Sequence, residues 1–134
     1  MIYELDNPLL INKVLDLAKN IPNTNIITLE KMLIKMLGSK KAKVYIAEKN
    51  NEPIGFIFGT LEQINGENCV FIQATYIKPD KEERYIGFEF LTKMRLFARD
   101  SDVDWLYIMT SRKPEGYIRK YHFEFCSTIL RRRV

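Results

Sequence analysis

The chain has few of the residues that build disulfide frameworks and metal sites. It contains two cysteines, Cys69 and Cys126, and a single histidine, His122. Two cysteines do not make the disulfide framework of a small secreted protein, and both lie in apolar, strand-like runs, which predicts buried free thiols. One histidine and two distant cysteines also lack the spacing of metal ligands, so we expect no metal site.

Long apolar runs and leader segments are missing too. No apolar run approaches the roughly 18 residues of a membrane-spanning helix, and the first residues do not have the pattern of a secretory signal peptide. We therefore expect a cytoplasmic protein. No repeat, low-complexity segment or linker interrupts the 134 residues, so residues 1–134 are expected to form a single domain.

The apolar and charged residues that are present define the class of protein further. Apolar residues make up 46% of the chain, which is enough to bury a core. The net charge is +4, and much of the excess lies in Arg131, Arg132 and Arg133. This excess can favour an anionic ligand but is too small for a nucleic-acid footprint, and the aromatic residues mostly alternate into strands. We therefore expect no nucleic-acid partner.

The hydrophobic period changes from helical to strand-like near residue 43. Before it, the pattern predicts a strand over 2–5, a helix over 8–19 that begins at Asn7 and Pro8, and a helix that Thr28 caps and Gly38 ends. After it, the pattern predicts a hairpin of strands 43–49 and 53–63, and a strand over 69–78.

The second half of the chain reads as a strand–helix–strand unit and a short tail. We predict a helix over 81–98, a strand over 105–110, a short helix near 115–121 and a last strand over 123–131. Such a unit places its outer strands parallel in one sheet. The predicted class is α+β, with a mixed, mainly antiparallel sheet flanked by helices.

The most informative stretch is YIKPDKEERYIGFEFLTKM, residues 76–94. A strand that turns sharply into a helix directs several unpaired backbone N–H groups at one place, where a phosphate can bind. Glu82 and Glu83 bring negative charge to this turn. The alternative interpretation is that Asp80 and Glu83 cap the helix themselves, in which case no phosphate is needed.

This stretch resembles the acyl-CoA pyrophosphate loop of the GNAT N-acetyltransferase superfamily. The positions that fit the family pattern are Pro79, Ile86, Gly87, Phe90 and Leu91. Two positions depart from it and make the loop degenerate: Glu82 stands where the family prefers Gln or Arg, and Tyr85 puts a large side chain where the family has a glycine. The resemblance extends over roughly residues 43–130, and GYIRKYHFE (116–124) is similar to the family's FYEKLGF segment.

The resemblance implies a GNAT-like fold, acetyl-CoA as co-substrate, and an enzyme in which an amine attacks the thioester directly. The implied cofactor contacts are Tyr76, Ile77, Lys78, Glu82, Glu83, Arg84, Tyr85, Ile86 and Gly87. Ile118 occupies the place of the tyrosine that often acts as general acid in the family. This leaves Tyr117 and Tyr121 as the candidate catalytic residues. Candidate bases are Glu62, Gln73 and Glu89, with none preferred.

The partner implied is a small-molecule or protein amine, and the protein is expected to be a monomer or a homodimer. A second function stays open, because the departures in the loop and at Ile118 are also what a GNAT-fold protein shows when it has lost catalysis. That alternative is an inactive binding or interaction module. The acceptor amine cannot be read from the sequence, since the N-terminal helices carry no motif.

Overall fold

The computed structural model describes residues 1–79, 83–109, 115–126, 130 and 132–133. The elements, in chain order, are β1 (Ile2–Glu4), a 3₁₀ turn (Pro8–Leu10), α1 (Ile11–Ala18), α2 (Ile26–Met36), β2 (Ala42–Lys49), β3 (Glu52–Ile64), β4 (Glu67–Ile77), α3 (Glu83–Asp100), β5 (Trp105–Ile108) and α4 (Glu115–Tyr121). None of the described helices is long and apolar enough to cross a membrane.

The strands form one sheet in the order β1-β2-β3-β4-β5. Strands β1 to β4 pair antiparallel, whereas β4 and β5 pair parallel, with Cys69 opposite Trp105 and Ile72 opposite Ile108. Helix α3 connects these two parallel strands. The predicted mixed sheet and the predicted strand–helix–strand unit are therefore confirmed.

Helices cover both faces of the sheet, because β2, β3 and β4 carry apolar side chains on both sides. Helices α1 and α2 pack on one face, where Val44, Phe56 and Phe58 are buried. Helix α3 packs on the other face through residues such as Phe90 and Met94. These two apolar layers hold α2 and α3 on opposite sides of β4, which is the strand that carries the site described below.

A glycine in β3 lets α3 approach the sheet closely. A Cβ atom built on Gly59 would lie 2.5 Å from the sulfur of Met94 and 3.1 Å from a methyl carbon of Val70. A real Cβ atom essentially never comes as close as the first distance, and the second is tighter than most real contacts. Only glycine at this position therefore permits Met94 to sit against the sheet as it does.

Three local predictions were wrong. Asn25, not Thr28, caps α2, because its side chain accepts a hydrogen bond from the Thr28 amide at 3.0 Å. Cys69 is buried as expected, but Cys126 is exposed. Residues 123–126 of the last predicted strand are not strand, although this segment alternates apolar and polar residues. The rest of that predicted strand includes residues outside those described. Asp80, the predicted cap of α3, also lies outside them.

Candidate active site

The parallel strands β4 and β5 part before β4 ends. Their pairing reaches Ile72 and Ile108, whereas β4 continues to Ile77 and pairs only with β3 on its other side. Among the described residues, positions 73–77 therefore have no strand partner at the β5 edge. Their backbone groups on that edge are available to a ligand.

A cleft of about 490 Å³ opens at this divergence. Its floor includes β4 residues 72–77, and Met109 lies beyond the end of β5. One wall consists of residues 21–25 with Thr28, Leu29 and Met32 of α2, and we call it the α2 wall. The opposite wall comes from α3 and α4 and is lined by Glu83, Gly87, Phe90, Leu91, Gly116, Tyr117, Lys120 and Tyr121.

A β-bulge in β4 places Gln73 in the cleft. Phe58 pairs with Ala74, and the next residue of β3, Gly59, pairs with Ile72, so Gln73 is the extra residue of β4. A bulge re-aims the side chain that it carries. Gln73 donates from Nε2 to Oγ1 of Thr60 at 2.9 Å.

The hydrogen bonds of Thr60 fix the orientation of the Gln73 amide. Thr60 is fully buried and donates from Oγ1 to a carboxylate oxygen of Glu62 at 3.0 Å. An ionised carboxylate only accepts, so the Thr60 oxygen must accept from the NH₂ group of Gln73. The amide oxygen of Gln73 is left as an acceptor, and no described residue donates to it.

The hydroxyl of Tyr121 lies against Gly87. A Cβ atom built on Gly87 would overlap this hydroxyl, so glycine is required here for contact between two helices. Burial raises the pKa of Tyr121, the nearby Glu83 adds to the rise, and Arg84 opposes it. Tyr121 therefore carries its proton at neutral pH and can donate a hydrogen bond.

Tyr117, one turn earlier on α4, also lines the cleft. Its ring lies 6.2 Å from that of Tyr121 and 6.1 Å, edge to face, from that of Phe123. The chain turns after α4 at His122, whose φ of 58° is left-handed. Ile118 is 40% exposed and does not line the cleft.

The predicted cofactor contacts divide into two groups. Tyr76, Ile77, Glu83 and Gly87 line the cleft. The side chains of the others lie elsewhere: Lys78 pairs with Glu52 at 2.7 Å, Arg84 lies over the ring of Phe88, Tyr85 is 67% exposed, and Ile86 is buried in the core. Tyr85 is mostly exposed and is not part of the cleft lining, so its side chain does not fill the site. Glu82 lies outside the described residues.

Of the three candidate bases, Gln73 alone lines the cleft. Glu62 reaches it only through Thr60, and Glu89 lies outside the lining. Sequence reasoning missed the α2 wall and the role of Thr60. The alternating pattern of β4 gives no sign of the bulge that brings Gln73 into contact with Thr60.

Comparison with known proteins shows what the whole fold of this chain is similar to. No protein-family model and no curated protein matches the sequence. Among solved structures, the aminoglycoside 6'-N-acetyltransferase AAC(6')-Ig from Acinetobacter haemolyticus is similar with a TM-score of 0.82 and 12% identity, over 100% of this chain and 97% of that one. The chain has the GNAT fold.

Two further similar structures contain CoA or a CoA derivative. AAC(6')-Iy, in complex with the bisubstrate analogue CoA-S-monomethyl-acetylneamine, matches with a TM-score of 0.81 and 15% identity, over 100% of this chain and 97% of that one. A predicted acetyltransferase from Clostridium acetobutylicum with acetyl-CoA matches with a TM-score of 0.79 and 16% identity, over 99% of this chain and 96% of that one. At these identities the likeness establishes the fold.

Proposed function

We propose that the protein is an N-acetyltransferase that transfers the acetyl group of acetyl-CoA to an amine. One observation carries the proposal: the unpaired edge of β4, the first turns of α3 and two tyrosine side chains all line the same cleft. Two of the similar structures contain a CoA bisubstrate analogue and acetyl-CoA, which supports the same ligand here.

The proposed pose of acetyl-CoA follows from the backbone groups that the cleft offers. The pantetheine arm runs along residues 73–77 of β4 and pairs with their free N–H and C=O groups. The pyrophosphate lies against the backbone of residues 83–87, where the partial positive charge of α3 favours an anion. Tyr85 does not obstruct this approach, because its side chain is mostly exposed and is not part of the cleft lining.

The reaction needs an amine nucleophile and a proton for the leaving group. The nitrogen lone pair of the neutral amine attacks the thioester carbonyl carbon, the C–S bond breaks, and the sulfur leaves with its electron pair. A tyrosine hydroxyl then donates a proton to the thiolate, and the excess proton on nitrogen passes through water to the tyrosinate, which restores the hydroxyl. We assign the donor role to Tyr117, which lines the cleft while Ile118 does not.

Acetyl transfer can be tested by incubating the protein with acetyl-CoA and a panel of primary amines. We expect release of free CoA thiol together with a product heavier by one acetyl group. Acetyl-CoA alone, without amine, corrects for hydrolysis. If no amine is acetylated but acetyl-CoA still raises the melting temperature, the protein is the inactive binding module instead. If neither occurs, the CoA site itself is refuted.

A further inference from the structure

The α2 wall of the cleft carries no charged side chain. It consists of the segment Ile21–Pro22–Asn23–Thr24–Asn25 followed by Thr28, Leu29 and Met32 of α2. The charged residues among the described lining are Glu83 on α3 and Lys120 on α4, both on the opposite wall. With acetyl-CoA against β4 and α3 as proposed above, the acceptor meets the α2 wall, which is a neutral surface of amides, hydroxyls and apolar groups.

The electrostatics of this wall disfavour a second cation. Helix α2 begins at Ile26, so its N-terminal end, which bears partial positive charge, belongs to the wall. The side-chain oxygen of Asn25 already accepts from the amide of Thr28. A second ammonium group placed against this wall finds no carboxylate among the described residues that form it, so any loss of its water is uncompensated.

A single ammonium group does find a partner at the floor of the cleft. The amide oxygen of Gln73 is a neutral acceptor whose orientation the Thr60–Glu62 hydrogen bonds fix. Burial lowers the pKa of a bound amine, and a neutral amide oxygen opposes that shift less than a carboxylate would. A lowered pKa supplies the free lone pair that the attack on the thioester requires.

We infer that the acceptor is a primary amine with one positive charge on an apolar or uncharged polar body, and that polycationic amines are poor substrates. The inference rests on the proposed acetyl transfer. It separates this protein from the fold relatives that act on aminoglycosides, which carry several ammonium groups.

A matched pair of amines tests this inference directly. Hexylamine and 1,6-diaminohexane share a six-carbon chain and differ in the second ammonium group. We expect kcat/KM for hexylamine to exceed that for the diamine at least tenfold, after correction for the two equivalent nitrogens of the diamine. Acetyl-CoA is held at saturation so that the ratio reports the acceptor site.

Two variants of α2 test whether the neutral wall causes the preference. Thr28→Glu adds a carboxylate to an exposed position of the wall, and we expect it to reduce the preference by about tenfold. Ile34→Glu adds the same charge to an exposed position of the same helix outside the lining, and it should leave the preference unchanged. Melting temperatures establish that both variants fold.

These experiments distinguish failure of the inference about the acceptor from failure of the proposed acetyl transfer. Equal or faster turnover of the diamine by the parent overturns the inference and leaves acetyl transfer intact. The same conclusion follows if Thr28→Glu and Ile34→Glu change the preference equally, because the effect then comes from net charge and not from the wall. Failure of the parent to acetylate any amine overturns both.

Discussion

At the scale of single residues, the structure gives the two candidate tyrosines different surroundings. Tyr121 has its hydroxyl against Gly87, on the turns of α3 where we place the pyrophosphate. Tyr117 lies one turn earlier on α4 and packs on Phe123. The helical repeat alone shows that residues four apart share a face, but it does not show which one meets α3.

These surroundings predict different kinetic defects for the two tyrosines. Tyr121→Phe should raise KM for acetyl-CoA roughly tenfold with little change in kcat, because it removes one hydrogen-bond donor to a charged group. Tyr117→Phe should lower kcat by about two to four orders of magnitude, the usual cost of a lost general acid. Steady-state kinetics with acetyl-CoA as the varied substrate measures both. The reverse pattern would exchange the two assignments.

At the scale of elements, α4 docks on α3 through the contact between Tyr121 and Gly87. Alanine is intrinsically better than glycine in a helix interior by up to about 1 kcal/mol. Gly87→Ala should nevertheless destabilise the protein, because the added Cβ overlaps the tyrosine hydroxyl. In a Tyr121→Phe background that hydroxyl is gone, and the cost of Gly87→Ala should fall by at least about 1 kcal/mol. Urea unfolding of the four proteins in this cycle gives the coupling, and strictly additive effects would contradict the contact.

Strand β1 and helix α1 each place a side chain on one carboxylate of β2. Glu48 accepts hydrogen bonds from Lys13 at 2.8 Å and from the Tyr3 hydroxyl at 2.6 Å, and its side chain is 9% exposed. The bond from Lys13, then that from Tyr3, holds the pKa of Glu48 below its ordinary value of 4.5. A lowered carboxyl pKa stabilises the fold above that ordinary value, and the contribution is lost as the pH falls through the lowered one.

This linkage predicts how stability responds to acid. Glu48→Gln should lower the melting temperature at pH 7, and the difference from the parent should shrink as the pH falls below about 4.5. Glu52→Gln is the matched control, because the pKa of Glu52 is also lowered but its pair with Lys78 is exposed and contributes little. Melting curves at several pH values measure both, and parallel curves for Glu48→Gln and the parent would rule out the linkage.

At the scale of the whole molecule, the sequence predicts the architecture better than the site. The change from strand to helix period between residues 69 and 98 predicts the parallel strand–helix–strand unit, and Gly87 lies in the first turns of the predicted helix, α3. The site depends on contacts between residues far apart in the chain, such as Gly87 with Tyr121 and Gln73 with Thr60. No local pattern encodes such contacts, and a bulge leaves no trace in the alternation of β4.

The last prediction concerns which segments of the molecule acetyl-CoA protects from amide hydrogen exchange. If acetyl-CoA lies along β4 and against α3, it should slow amide hydrogen exchange in residues 73–77 and 83–87, the segments that the proposed pose places against the ligand. Strand β1 and helix α1 lie outside the cleft lining and should exchange at the same rate with and without the ligand. At a concentration 100 times its Kd, the ligand stabilises the native state by about 2.7 kcal/mol, so slowing spread evenly over all segments would report that global effect alone. Protection confined to α1 and β1 would place the ligand elsewhere, whereas local protection at 73–77 and 83–87 in excess of the global effect fits the cleft between β4, α3 and α4.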